Sequence, residues 1–409
     1  MKQVLRYLVL FVGLIAAYLL FAVAVTLLPS KPVERHVEQT LEATDLKADF
    51  WFAFLYKPAY FMDNFTDALI VNQAMCNGRS DMNVWERVML VPRMELEHDQ
   101  CENLRLLSEG DGSLHVVNYP RYWHGSTFLM RLLLTVDDYV VLRTFFYILS
   151  SMLLLWVLVA LLRRMGAWAA AVYMLAMLSV NVFMMQFSIQ FLPVLLIAVA
   201  GTLVVLYHGN DSGRMARMFF ILGSLTAYFD LLTCPLITWG IPMVVWLAMK
   251  HSDEVKPVRS FAVSSALWGV GYAATWAAKW LIATLTTSAD VFADAAGQAA
   301  ERASMGDSGR WAALVRNVEL VPWLYAAVAL VVLIVFAVRW FDSRRWRQAV
   351  LCLVSALAPM GWFIAVAQHS WQHYWFTYRI LAVTVMGVLM AVGCLVDWQR
   401  IEWRKTDNS

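Results

Sequence analysis

Long apolar runs separated by short polar connections dominate this chain. The first run covers residues 5–28, and others follow at 142–162, 166–186, 188–207, 215–231, 233–249, 259–281, 322–340, 349–367 and 377–396. A helix needs about 20 apolar residues to cross the hydrocarbon core of a bilayer, so the pattern predicts about ten transmembrane helices. A membrane β-barrel would instead show alternating strands of about ten residues. Two polar stretches interrupt the runs, at 29–141 and 282–321. The fold class expected is an all-α polytopic membrane protein, one integral domain over 1–409, with a large loop after its first span. Within that loop, "KPVERHVEQTLEATDLKADF" has the look of an amphipathic helix lying on the membrane, which makes Glu34 and Glu38 surface residues. "STFLMRLLLTVDDYVVL" reads as an interfacial or re-entrant helix before the second span. The first run is longer than a signal-peptide core and ends in "LLPSKP", so it reads as an uncleaved anchor.

Charge orients the spans. Lys2 and Arg6 precede the first. Alternate connections then carry Arg163 and Arg164, Arg214 and Arg217, Lys250 with Lys256 and Arg259, Arg339 with Arg344, Arg345 and Arg347, and Arg400 with Arg404 and Lys405. The positive-inside rule places these in the cytoplasm. Both termini are then cytoplasmic, and loops 29–141, 282–321 and 368–376 face outward. The plasma membrane is the expected location.

Composition agrees. The chain is 61% hydrophobic and 15% charged, against about half and a quarter in soluble domains. A net charge of +2 gives no reason to expect a nucleic-acid partner. Cys76 and Cys101 share the first external loop, where an oxidising compartment permits a disulfide and leaves both bridged and reduced forms open. Cys234, Cys352 and Cys394 read as small core residues.

With this topology the unusual polar residues collect on one side. Asp63 and Asp67, four apart, share one helical face if "FMDNFTDALIVNQA" is helical. Arg121, Tyr122, Trp123 and His124 end the first external loop, with belt aromatics as the plainer reading of the two rings. Asp230 and Lys279 lie near the outer ends of their spans, where they could form an ion pair. Arg302 falls in the second loop, and His369, His373, Tyr374 and Arg379 close the set. Ionisable residues at membrane depth are expensive and therefore functional candidates, although Lys279 and Arg379 could also snorkel to headgroups. His369 and His373 are spaced to share a metal, but such a pair is more often interfacial and hydrogen-bonded, and no metal site is assigned. Together the residues offer a carboxylate for base chemistry, cations for a phosphate and aromatics for a sugar or lipid.

On "DNFTDALIVN", "YPRYWHG", "TAYFDLLTCPLITWGIP" and "HYWFTYR", and on its anchor span followed by a large acidic external loop, the chain resembles the GT-C superfamily of integral membrane glycosyltransferases. The resemblance implies a polyprenyl-phosphate sugar donor and a glycan or lipid acceptor at the outer face of the plasma membrane. It implies a catalytic base at Asp67, with Asp63 as alternate or partner. Donor phosphate contacts would fall to Arg302 or Arg379, or to His373 or Lys279, with Arg121 and His124 lining the same cavity. Members with and without a divalent ion (Mg or Mn) are known, and the residues here do not require one. In many members the key acid follows the first span closely, whereas here Asp63 lies well beyond it. Three other classes stay open: a glycan polymerase or ligase, a transporter or flippase of a lipid-linked or anionic substrate, and a non-catalytic assembly subunit.

Overall fold

A computed structural model of the protein describes residues 2–43, 46, 50–52, 58–79, 81–96, 99–249, 256–304 and 309–401. The helices and strands run α1 (Lys2–Thr26), α2 (Ser30–Ala43), β1 (Phe50–Phe52), β2 (Phe61–Asp63), α3 (Asn64–Arg79), α4 (Val84–Leu90), β3 (Pro92–Glu95), α5 (Gln100–Glu109), β4 (His115–Asn118), α6 (Gly125–Leu133) and α7 (Tyr139–Met165). Then come α8 (Ala167–Ser179), α9 (Val182–Phe187), α10 (Leu192–His208), α11 (Ser212–Phe229), α12 (Leu236–Ala248), α13 (Pro257–Thr286), α14 (Val291–Ala303), α15 (Gly309–Val318), α16 (Trp323–Arg339), α17 (Trp346–Ala365), α18 (Ala367–Gln372), α19 (Tyr374–Thr377) and α20 (Leu381–Cys394). The strands form two small antiparallel hairpins, β1 with β2 and β3 with β4. The first pairs Phe50 with Asp63.

The helices sort by which faces are apolar. Every residue of α12 is buried, and so is most of α20. A helix apolar all round belongs in the middle, and these two pack with α8, α10, α11 and α17 around the largest core cluster. In contrast, α1, α7 and α16 turn large apolar side chains outward, among them Leu20 (71% exposed), Leu155 (62%) and Val338 (80%). Apolar surface on that scale marks a membrane or partner interface and is compatible with a helical membrane protein.

Four helical stretches are long and apolar enough to cross a membrane: Gln3–Thr26, Tyr139–Met165, Ser343–Ala365 and Tyr374–Cys394. A fifth is formed if α15 and α16, bent by 76°, count as one span. The apolar helices α8, α10 and α12 are shorter. The run at 166–186 is not one helix. It breaks after α8, where Asn181 adopts φ 56°, and the following stretch buries the polar residues Gln186, Ser188 and Gln190.

The segment between α1 and α7 is a folded subdomain with its own core. There α2 buries Val33, His36, Val37 and Thr40 on one face, so it packs on protein as well as presenting Glu38 to the surface. Residues 44, 45 and 47–49 of the expected amphipathic helix lie outside the described residues. Cys76 and Cys101 are both buried there as thiols and form no disulfide. The Cys101 thiol points at the Asn64 carbonyl.

Helices α11 and α13 make the most extensive helix pair in the molecule. A Cβ at Gly223 would collide with the Trp268 carbonyl, and one at Gly271 with the Phe220 carbonyl. The two backbones therefore touch directly, the close approach that small residues permit between helices.

Candidate functional site

The first and second loops and the turn before α20 meet at one end of the bundle. Arg121 makes two hydrogen bonds to Asp294 of α14, at 3.0 and 3.1 Å. The Arg302 guanidinium lies over the Tyr122 ring at 5.5 Å. Trp375 of α19 donates its indole N–H to Asp63 at 3.2 Å. These contacts join the three segments.

The two acids do not share a helical face. Asp63 ends β2 and accepts the Thr66 backbone N–H at 3.1 Å, closing the first turn of α3, while Asp67 lies inside the helix. Their surroundings differ more than their positions. Asp67 Oδ1 accepts from the Ser188 hydroxyl (2.9 Å) and the Gln190 N–H (3.0 Å). Its Oδ2 accepts from the Tyr139 hydroxyl and the Ile189 N–H (3.1 Å). Arg143 stands 3.7 Å away and also donates to Tyr139. A carboxylate offers about four acceptor sites, so those of Asp67 are filled. Burial raises its pKa; Arg143 and these donors pull it back down. The result is a clasp between α3, the start of α7 and the α9–α10 connection.

Asp63 is equally buried, at 3% exposure, but has acceptor capacity left over. Burial pushes its pKa up to about 6, against the pull of its Thr66 and Trp375 hydrogen bonds and with a further push from Asp67. A carboxyl poised there can exchange a proton near neutral pH.

Around Tyr122 the aromatics close ranks. Tyr122 packs edge-on to Trp276 at 5.0 Å and near His124 at 5.7 Å, and Trp276 packs on Trp280. Leu232, Tyr272 and Trp362 complete the cluster. Tyr122, Trp123 and His124 are 1–2% exposed, so they are interior residues and not belt aromatics. Trp123 is held by a hydrogen bond to the Thr275 carbonyl (2.7 Å). His124 bonds the Tyr119 carbonyl through Nε2 (2.7 Å). Burial first, then the Lys279 charge, hold its pKa down at about 3, which leaves it neutral.

His369 bonds the Leu232 carbonyl at 2.8 Å, and its ring lies 4.8 Å from that of His373. Burial and the Arg302 charge hold His373 down at about 4. Among the described residues no three His, Cys, Asp or Glu side chains gather as a metal site. Tyr374 is covered by the Arg316 guanidinium at 3.7 Å.

Two expectations about membrane-depth charges change. Asp230 and Lys279 form no ion pair. Asp230 is bound by the Thr233 N–H and hydroxyl, and Lys279 donates to the Val88 and Met89 carbonyls at 3.2 and 2.8 Å, where α4 ends. Nor do Lys279 and Arg379 snorkel, since each is 1% exposed. Lys279 acts as a helix cap. Arg379 spends one nitrogen on the Trp375 carbonyl (2.6 Å) and stacks on Phe191 and Tyr378.

This end holds several buried polar atoms with no hydrogen-bond partner: His124 Nδ1, the Trp362 indole N–H, His373 Nδ1, and Arg379 Nε and Nη2; beside them the Tyr272 hydroxyl and the Trp276 side chain pair with each other. Each orphan costs about 1–3 kcal/mol and calls for an explanation. Contacts connect them, from Asp63 through Trp375, His373, His369 and Leu232 to Trp276, Tyr122 and His124. Two non-glycine residues with left-handed backbones, His124 (φ 58°) and Leu232 (φ 67°), border the same cluster. A left-handed leucine is a genuine outlier, and strain of this kind concentrates at functional sites. Most of the orphans donate, so the surface suits a ligand rich in oxygens.

Tyr272, Trp276 and Trp362 sit inside apolar runs, where nothing in the sequence sets them apart except position: three large polar-tipped rings near the loop-bearing ends of α13 and α17.

No family model matches the sequence, and no characterised protein or solved structure is similar to it.

Proposed function

We propose that the chain is a membrane glycosyltransferase of the plasma membrane. It moves a sugar from a polyprenyl-phosphate donor to a glycan or lipid acceptor on the outer face. About ten crossings, built from α1, α7, α8 with α9, α10, α11, α12, α13, α16, α17 and α20, leave both termini in the cytoplasm and the orphan-lined cluster outside.

The observation that carries this reading is the line of unpartnered buried donors leading to one under-coordinated carboxyl. In the reaction Asp63 takes the acceptor hydroxyl proton. The acceptor oxygen bonds to the anomeric carbon as the bond from that carbon to the donor phosphate oxygen breaks. The leaving phosphate needs cations, which Arg302 and Arg379 supply, while Tyr122, Trp276 and Trp362 flank the sugar. Asp67 holds the scaffold under Asp63. The apolar crevice bounded by Met130, Leu133, Phe146, Ile189, Leu192 and Ile197, about 140 Å³ in volume, begins beside the Asp67 clasp at Ile189 and offers the donor's tail a path.

The test is transfer from radiolabelled polyprenyl-phosphate sugars by purified protein with membrane extract, with Asp63→Asn run in parallel. Label entering a product with wild type and stopping in the variant supports the assignment. No transfer from any donor by folded protein, together with uptake or flipping in proteoliposomes, would make it a transporter.

A further inference from the structure

The opposite end of the bundle carries a second built cavity. It lies between the start of α1, the start of α11 and the start of α13, with a volume of about 650 Å³. Four cations line it: Arg6, Arg217, Lys256 and Arg259. Among the described residues none of the four pairs with a carboxylate at ion-pair distance. Asp211 caps α11 through the Arg214 N–H, faces the Arg214 side chain at 3.8 Å, and also feels the Arg217 charge.

Deeper in, the lining is hydroxylic. Ser260 donates to Ser212 at 3.4 Å. Ser264 is 1% exposed, and its hydroxyl has no partner. The first backbone N–H groups of α13 lack a side-chain cap, and helix N-termini favour anions. Val4 (72% exposed) and Val263 (42%) stand at the rim beside Leu10 and Leu267. A soluble-anion pocket has no use for such a rim, whereas acyl chains do.

We propose that this groove binds the phosphate headgroup of an acidic phospholipid from the same leaflet, with its acyl chains along α1 and α13. The four cations and the Ser264 hydroxyl take the phosphate oxygens, and the valines and leucines take the chains. Basic pockets between spans on the cytoplasmic side recognise anionic headgroups in this manner. Positive residues that merely orient a protein are scattered and solvated; here they converge on a cavity with an unpartnered hydroxyl at its base. The inference requires only that the chain spans a membrane, and it stands apart from the glycosyl-transfer reading.

The experiment is native mass spectrometry of the full-length protein in mild detergent. It is titrated with phosphatidylglycerol, with phosphatidylcholine, and with phosphatidylglycerol in the presence of inorganic phosphate. Wild type should retain one phosphatidylglycerol in preference to phosphatidylcholine. Each cation removed should weaken retention about fivefold, and Arg217→Gln, Lys256→Gln and Arg259→Gln together roughly a hundredfold. Arg163→Gln with Arg164→Gln removes charge at the same membrane level outside the groove and should leave retention unchanged. Ser264→Leu, which fills the base without altering charge, should also weaken it. Equal retention of both lipids, or full retention by the triple variant, would overturn the proposal. Displacement of the lipid by inorganic phosphate would overturn its lipid assignment in favour of a soluble anion.

Discussion

Asp63 and Asp67 are separated by one helical turn of sequence and are buried alike, yet they are set up for different work. Asp67 is saturated by two backbone N–H groups, two hydroxyls and a nearby guanidinium. Asp63 accepts from Thr66, by N–H and hydroxyl, and from Trp375, and has room for more. A fully satisfied buried polar network rigidifies what it joins; an under-satisfied group keeps capacity for a ligand. The contrast extends outward. Lys279 is spent on the carbonyls ending α4, and Arg131 on those of Val25, Leu28 and Ala74, whereas Arg379 leaves two nitrogens over. Buried charge alone does not mark a site. On the proposed reading, unspent hydrogen-bonding capacity beside an under-coordinated carboxyl does.

The sharpest way to break this comparison is to neutralise each acid in turn. Asp63→Asn is expected to lower transfer by roughly 10²–10⁴-fold, the range for a lost general base, with the thermal unfolding midpoint nearly unchanged. Asp67→Asn turns one filled acceptor into a donor facing donors and leaves Arg143 without its charge partner. Breaking a buried pair costs about 3–5 kcal/mol, so this variant should lose much of its folded yield in detergent, read by fluorescence-detected size exclusion. If Asp67→Asn folds normally and is inactive while Asp63→Asn remains active, the two roles are reversed.

A pH profile sharpens the same contrast. Because the base must be ionised, transfer should rise through about pH 6 and then level, following Asp63; His373 and His124 are already neutral there. The limb should vanish from the residual activity of Asp63→Asn. For stability the sign is opposite. The folded state raises the Asp63 pKa from 3.8, so it binds the proton more tightly than the unfolded chain does. The Asp63 contribution to stability is then fully present below about pH 4 and is lost as pH rises through about 6. Smaller again is Tyr139→Phe, which removes one donor from the clasp and should cost about 1–2 kcal/mol in thermal unfolding, with KM unaffected. The smallest effect is expected of Asp294→Asn, which loosens a half-exposed ion pair to Arg121 worth about 0.2–1 kcal/mol. It should surface mainly in KM, through the position of α14.

Much of this was legible in the chain. Apolar runs located the helices, and the residues at "YPRYWHG" and "HYWFTYR" do fall at one end of the bundle. The saturation of Asp67 was not legible, because two of its donors are backbone N–H groups at Ile189 and Gln190, exposed by a helix break inside what reads as unbroken apolar sequence. Gln186, Ser188 and Gln190 were the trace of that break. Of the apolar runs, four form helices long and apolar enough to cross a membrane, or five with the bent α15–α16 pair. Hydropathy weighs composition, and α12 shows how short a wholly buried helix can be. The basic groove was half visible: Arg6, Arg217 and Arg259 predicted sidedness, but only folding brought them to one cavity.

The contact between α11 and α13 limits how the protein can move. With Gly223 against the Trp268 carbonyl and Gly271 against the Phe220 carbonyl, the two backbones touch at these points, and sliding there would drive carbonyl oxygens into Cα atoms. Interfaces of this kind shift as a unit or not at all. The pair carries Asp230 on one member and Tyr272, Trp276 and Lys279 on the other, and at its far end Ser212 and Ser260. The polar cluster and the basic groove are therefore both mounted on one closely packed helix pair, against which α14 also packs.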